Sequence, residues 1–166
     1  VFMGEEWAAS TPWQFFASFP DPELAEAVRT GRRREFSRHG WGESDVPDPM
    51  DPATVERSRL DWTEPERPGH RDMLDLYRAL IRLRRERAEL ADPRVADLRV
   101  DSAPDGSWLV LHRGALRLAV NFGPGPVTLP LGASASLLTW GKATVDGGAA
   151  HLPPDTFVIA RSAVAS

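Results

Sequence analysis

The chain has 166 residues, 42% hydrophobic and 27% charged, with 13 Gly, 15 Pro and no Cys; this suits one large globular domain or two small ones and excludes disulfides, thiolate metal sites and a Cys nucleophile. A formal net charge of −4 provides no basic footprint for nucleic acid or an anionic bilayer. No apolar run approaches the ~18–20 residues that cross a membrane, so neither a membrane nor a nucleic-acid partner is expected, and a cytoplasmic location is.

The first residues, Val1-Phe2-Met3-Gly4, have the form of a buried strand ending at a Gly rather than of a secretion leader. The expectation is a C-terminal piece of a longer protein. Glu5-Glu6-Trp7 follow, then Thr11-Pro12-Trp13-Gln14-Phe15-Phe16. Asp21-Pro22-Glu23 sets an N-cap, a Pro at the first helical position and an acid in the first turn, predicting a helix over 22–38 that stops before Gly40. A short helical turn is predicted at 51–55. The strongest helical pattern covers 70–90, where Met73, Leu74, Leu76, Tyr77, Leu80, Ile81 and Leu83 follow a 3,4 spacing.

Texture and charge change near Ala91-Asp92-Pro93. Residues 1–90 carry 14 Arg against 18 acids; residues 91–166 carry 5 Arg, 1 Lys and 6 acids. Short β-type runs follow, at 98–100, 108–111, 116–122, 127–131, 136–140, 142–145 and 156–160, with turns at Asp105-Gly106 and Asp146-Gly147-Gly148. Seven or eight strands at this spacing predict an antiparallel sandwich or open barrel. The fold class is thus α+β, with one domain over 1–90 and an all-β domain over 91–166.

The densest chemistry lies at Glu5, Glu6, Trp7, Trp13, Gln14, Phe15 and Phe16. Carboxylates accept hydrogen bonds from sugar hydroxyls, and flat aromatic faces cover the apolar face of a pyranose. The same residues also suit a small local core with surface ion pairs; the pattern leaves both readings open. Glu5 and Glu6 are not a glycosidase acid and nucleophile, because adjacent residues of an extended chain point to opposite faces. His39, His70, His112 and His151 have no metal-ligand spacing, and no Ser sits in a nucleophile-elbow context. No metal or cofactor is expected. The Arg runs at 29–34 and 82–87 are interleaved with acids, as on solvated helix faces.

FMGEEW is similar to the end of the eighth barrel strand in the alpha-amylase superfamily of glycoside hydrolases. Three longer stretches narrow the likeness: Ser10 to Phe16, Asp21 to Phe36 and Pro47 to Trp62. Together they resemble the maltooligosyltrehalose trehalohydrolase family. The resemblance covers 1–90 strongly and 91–166 by position and pattern.

The resemblance implies that residues 1–90 are the last strand and helices of a (β/α)8 barrel, followed by a C-terminal antiparallel β-sandwich. It implies a retaining hydrolase that cuts the α-1,4 bond next to the trehalose unit of maltooligosyltrehalose. The family's catalytic carboxylates sit on earlier strands, so no residue here inherits a catalytic role. Phe2 and Met3 are expected to line the last strand, and Glu5, Glu6 and Trp7 to open the loop after it. Trp13, Gln14, Phe15 and Phe16 are expected to border the sugar subsites.

The family's Thr-Asp-His-like run after the paired aromatics is replaced here by Ala17-Ser18-Phe19, a departure that either alters substrate contacts or reflects a drifted loop. An N-terminal barrel is expected to pack on the 70–90 helix; without it, Leu76, Leu80 and Leu83 are expected to be exposed unless another element covers them. Trp108 and Trp140 are read as core anchors, or else as a glycan platform. The competing functions are a stand-alone carbohydrate-binding module and a fragment of a branching or debranching enzyme, the latter opposed by 47–62.

Overall fold

The computed structural model describes residues 1–42 and 45–162. Two compact units emerge, Val1–Asp75 and Leu76–Ser166.

In the first unit, residues 1–4 form no strand. A strand needs a neighbour to take its backbone groups, and no described segment pairs with this one. The chain turns instead, through Met3 (φ 48°) and Gly4 (φ 81°), into a 3-10 turn at Glu5–Trp7. Helix α1 spans Pro22–Ser37 and α2 spans Pro52–Arg57. Both begin the same way. Asp21 accepts from the backbone N–H of Glu23 and Leu24, Asp51 accepts from that of Ala53, and each is followed by Pro at the first helical position. This satisfies amides that a helix start leaves unpaired.

Helix α3 runs His70–Glu86, and a single turn, α4, spans Ala88–Ala91. The predicted helix over 70–90 is therefore interrupted at Arg87, which is extended (φ −116°, ψ 109°); no Gly or Pro accounts for the break. Leu76 and Leu80 are half-buried, Leu83 is buried at 8% exposure, and the side chain left open is Ile81 at 44%. The expected open stripe is thus covered at Leu83.

The second unit holds eight strands: β1 Arg99–Ser102, β2 Trp108–Arg113, β3 Leu116–Asn121, β4 Val127–Pro130, β5 Ala133–Trp140, β6 Thr144–Asp146, β7 Ala149–Leu152 and β8 Thr156–Ser162. They form a five-stranded sheet ordered β1-β2-β3-β8-β5 and a three-stranded sheet ordered β4-β7-β6, and every pairing is antiparallel. The sheets share one core of Val110, Ala119, Leu129, Leu131, Ala143, Ala150, Leu152, Val158 and Ala160. Ala119, Ala150 and Ala160 are fully excluded from solvent, as close sheet packing demands. Trp108 packs against this core, and Trp140 is half-buried.

Strand β7 had no sequence prediction. Its Ala-Ala-His-Leu composition carries little β-preference, yet the Gly147-Gly148 turn before it requires a return strand. Asn121, at the end of β3, is buried and donates through Nδ2 to the carbonyls of Gly125, Leu152 and Pro153. Its Oδ1 accepts from Gly123 N–H. One side chain thereby ties both sheets' loops together.

Two substitutions test this packing. Ala150→Leu overfills the core and is expected to cost about 1–3 kcal/mol in a denaturant melt. Asn121→Ala strands three carbonyls and is expected to cost about 1–3 kcal/mol, while Val100→Thr on exposed β1 stays within about 0.5 kcal/mol.

Candidate functional site

Residues 8–21 have no regular secondary structure apart from turns and bends. A segment of this kind must find partners for its backbone groups elsewhere, and this one is fastened at three points. Ser10 donates its backbone N–H (3.2 Å) and its hydroxyl to the Glu64 carboxylate. Gln14 N–H donates to Ser58 Oγ at 3.1 Å. Ala17 N–H donates to the Pro49 carbonyl at 2.9 Å. The residues between the fasteners, Trp13, Phe15 and Phe16, are left exposed.

The fasteners belong to a connected polar frame. Ser58 donates to the Thr54 carbonyl, and the Thr54 hydroxyl donates to the Asp48 carbonyl at 2.7 Å. The Asp48 carboxylate accepts from Arg29 Nε at 2.8 Å and from Met50 N–H at 2.8 Å. Burial alone raises the Asp48 carboxyl, but the Met50 amide and the Arg29 guanidinium outweigh it and hold it below the usual value. The stretch Pro47–Arg57 is in this way the scaffold that sets the strap on α1 and α2. Glu64, only 2% exposed, is held below its ordinary value near 4.5, chiefly by the Ser10 hydroxyl and against the effect of burial.

Trp7 is buried at 3% exposure and packs against Trp62, ring centroids 5.1 Å apart. Its carbonyl accepts from His70 Nδ1–H at 2.8 Å, which ties the 3-10 turn to the start of α3. Gly4 is required beside it: a Cβ there would meet Ala9 Cβ at 2.7 Å and Trp7 Cζ2 at 2.9 Å, and φ is +81°. Glu5 is exposed; Glu6 is half-buried, with Oε2 buried and unpartnered among the described residues.

The predicted residues therefore divide. Glu5, Glu6 and Trp7 form one turn. Trp13, Gln14 and Phe15 line a cavity of about 440 Å³ that Phe16 does not border, and its opposite wall is Arg32, Phe36 and Trp41. The Arg32 guanidinium lies 4.8 Å from the Phe15 centroid and 4.7 Å from that of Phe36. Phe36 in turn packs on Trp41, at 5.3 Å and 55°. The interleaved acids around Arg32 predict a solvated helix face. The available signal was the i,i+4 spacing of Arg32 from Phe36, which puts both on one face of α1. Nothing in the sequence marked Glu64 as buried. Among the described residues no cluster of His, Asp and Glu is arranged to hold a metal ion.

Residues 93–159 match the family described as Domain of unknown function (DUF3459). Along 97% of its length the chain is 46% identical to a malto-oligosyltrehalose trehalohydrolase of Rhizobium sp. (strain M-11), of which it covers 27%. It is 47% identical over 92% of its length to the enzyme of that name from Arthrobacter ramosus, covering 26% of it. With that of Mycobacterium tuberculosis (strain ATCC 25618 / H37Rv) it shares 41% over 98%, covering 28%. The chain thus spans about a quarter of the curated relatives it matches.

Among solved structures, it superposes with a TM-score of 0.76 and 30% identity on a Salmonella typhimurium protein provisionally assigned as an alpha amylase, covering 98% of this chain and 27% of that one. Trehalulose synthase from Pseudomonas mesoacidophila MX-45, at 16% identity and TM-score 0.54, shares the fold over 97% of this chain and 35% of its own.

The frame makes a pH-dependent prediction. Because the folded Glu64 carboxyl sits below its ordinary value, its contribution is present above about pH 4.5 and is lost as pH falls through the lowered folded value. Glu64→Gln is expected to melt at lower temperature near pH 7 and to lose less stability on acidification than the parent chain. Trp fluorescence, with Trp7 and Trp62 as reporters, follows both.

Proposed function

We propose that this chain, similar over nearly all its length to a quarter of the malto-oligosyltrehalose trehalohydrolases, works as the corresponding part of a retaining glycoside hydrolase that releases trehalose from maltooligosyltrehalose. The identity of 46% and 47% to two trehalohydrolases over almost the entire chain carries the reading. In it, residues 1–90 complete a (β/α)8 barrel, whose remaining strands come from polypeptide outside these 166 residues and pack on the 70–90 helix. Residues 91–166 form the accompanying β-sandwich. The host is a cytoplasmic enzyme of trehalose biosynthesis.

A two-step retaining hydrolysis needs one carboxylate to attack the anomeric carbon and one carboxylic acid to protonate the leaving oxygen, with water completing the second step. These groups belong to the parent's other strands. Residues of this chain bind and orient. Of the adjacent Glu5 and Glu6 at most one faces the sugar, and Trp7 holds their turn from within. Trp13, Gln14, Phe15 and Phe16 border the cleft, where exposed rings cover the apolar faces of pyranose units. The strap's three fasteners support this role, since a binding surface needs rings held open to solvent by a rigid base.

The test compares two proteins incubated with maltooligosyltrehalose. The parent polypeptide, containing this segment and the barrel, is expected to release trehalose; the purified 166-residue chain is expected to release none. Turnover by the chain alone, or a parent that leaves the substrate intact, overturns the proposal.

A further inference from the structure

We infer that the cavity between the strap and α1 is a binding pocket for an α-linked glucose disaccharide, with Arg32 and Trp41 as its recognition residues. The ligand class rests on the glycoside hydrolase reading above. The pocket deepens that reading, because it adds Arg32 of α1 and Trp41 of the turn after it to the strap residues already placed at the sugar cleft.

Phe15, Arg32, Phe36 and Trp41 form one continuous series of ring and guanidinium contacts across two chain segments, with the Phe36 and Trp41 rings tilted by 55°. A guanidinium held between two rings keeps its plane, and therefore its donors, in a fixed direction. Arg32 NH1 donates to Glu35 at 2.9 Å; the other N–H groups of the fork are the donors offered to a ligand hydroxyl. At the open side, the indoles of Trp13 and Trp41 are 47% and 50% exposed. Exposed indole faces beside a fixed donor match a pyranose ring, which has an apolar C–H face and a rim of hydroxyls.

The lining is also electrically mixed. Arg32 is cationic, Asp45 carries a carboxylate, and Gln14 contributes a neutral amide. That mixture favours a neutral polyol over a phosphate, which would meet the carboxylate. A volume of about 440 Å³ lies within the ~300–1,000 Å³ of small-molecule pockets. Gln14 is itself fixed by Ser58 through its backbone and by Arg57 Nε, which donates to its Oε1 at 3.2 Å. The pocket wall on the strap side is thus preorganised by the same frame that supports the rest of the unit.

The experiment titrates the 166-residue chain with maltose and, separately, with trehalose, following Trp fluorescence and isothermal heats. Saturable binding of at least one disaccharide is expected. Trp41→Ala and Arg32→Gln are each expected to weaken it roughly fivefold to tenfold, with melting curves showing that both variants fold. Trp41→Phe retains a ring and is expected to bind within about twofold of the parent chain. Binding unchanged in both Trp41→Ala and Arg32→Gln overturns the assignment of these two as the recognition residues and leaves the proposed hydrolase standing. Loss in Trp140→Ala, with melting curves showing that the variant folds, instead moves the site to the β unit and likewise overturns it. Absence of saturable binding to either sugar also refutes the pocket, while trehalose release by the parent polypeptide still judges the hydrolase reading separately.

Discussion

The buried Glu64 carboxylate and the Ser10 groups that donate to it are what the first unit depends on. The strap after Trp7 has no helix or sheet to consume its backbone hydrogen bonds, so its position is only as definite as its fasteners. Buried polar groups without partners are costly. That cost works in favour of a single arrangement here: Glu64 lacks water to turn to, and Ser10 must stay. Ser58 and the Pro49 carbonyl repeat the same device farther along. Three anchors over eight residues convert an irregular segment into a rigid mount for exposed rings.

The polar frame also explains why the segment around Asp48 is so dense in Pro and Asp. Pro49 and Pro52 restrict the backbone. Asp48 takes Arg29 of α1 on one side and Met50 N–H on the other, and Asp51 starts α2. Each side chain satisfies a donor that the tight path would otherwise leave bare. The likeness of this stretch to trehalohydrolases therefore falls on scaffold, and the surface it supports, Trp13 to Phe16, is where sugar chemistry is proposed. The β unit has the opposite economy. Its core is apolar and held by closely packed Ala, Leu and Val, and its principal buried polar side chain, Asn121, joins loops rather than building a surface.

Much of this was legible before any coordinates. The Asp-Pro starts of α1 and α2 follow from local chemistry, because a capping carboxylate and a Pro at the first helical position act within four residues. The 3,4 spacing after His70 gives α3 for the same reason. Seven of the eight strands lie where alternation and turn residues put them. The exception, Ala149–Leu152, owes its existence to pairing with β4 and β6, a tertiary cause that its own residues do not advertise. The opposite error occurs at Val1–Gly4. Apolar residues ending in Gly read as a strand, but a strand is a relation between segments, and no described neighbour supplies the other half.

By itself the sequence determined the Asp-Pro helix starts, most of the strands, the all-β character of the second half and a likeness to glycoside hydrolases, since these follow from interactions over a few residues or from long matching stretches. Tertiary structure alone decided that Glu64 is buried, that Trp7 faces inward against Trp62, and that Arg32, Phe36 and Trp41 stand across a cavity from Trp13, Gln14 and Phe15. Those outcomes require segments tens of residues apart to meet. Whether a carboxylate is solvated or a ring is open depends on what arrives beside it, which no local pattern encodes.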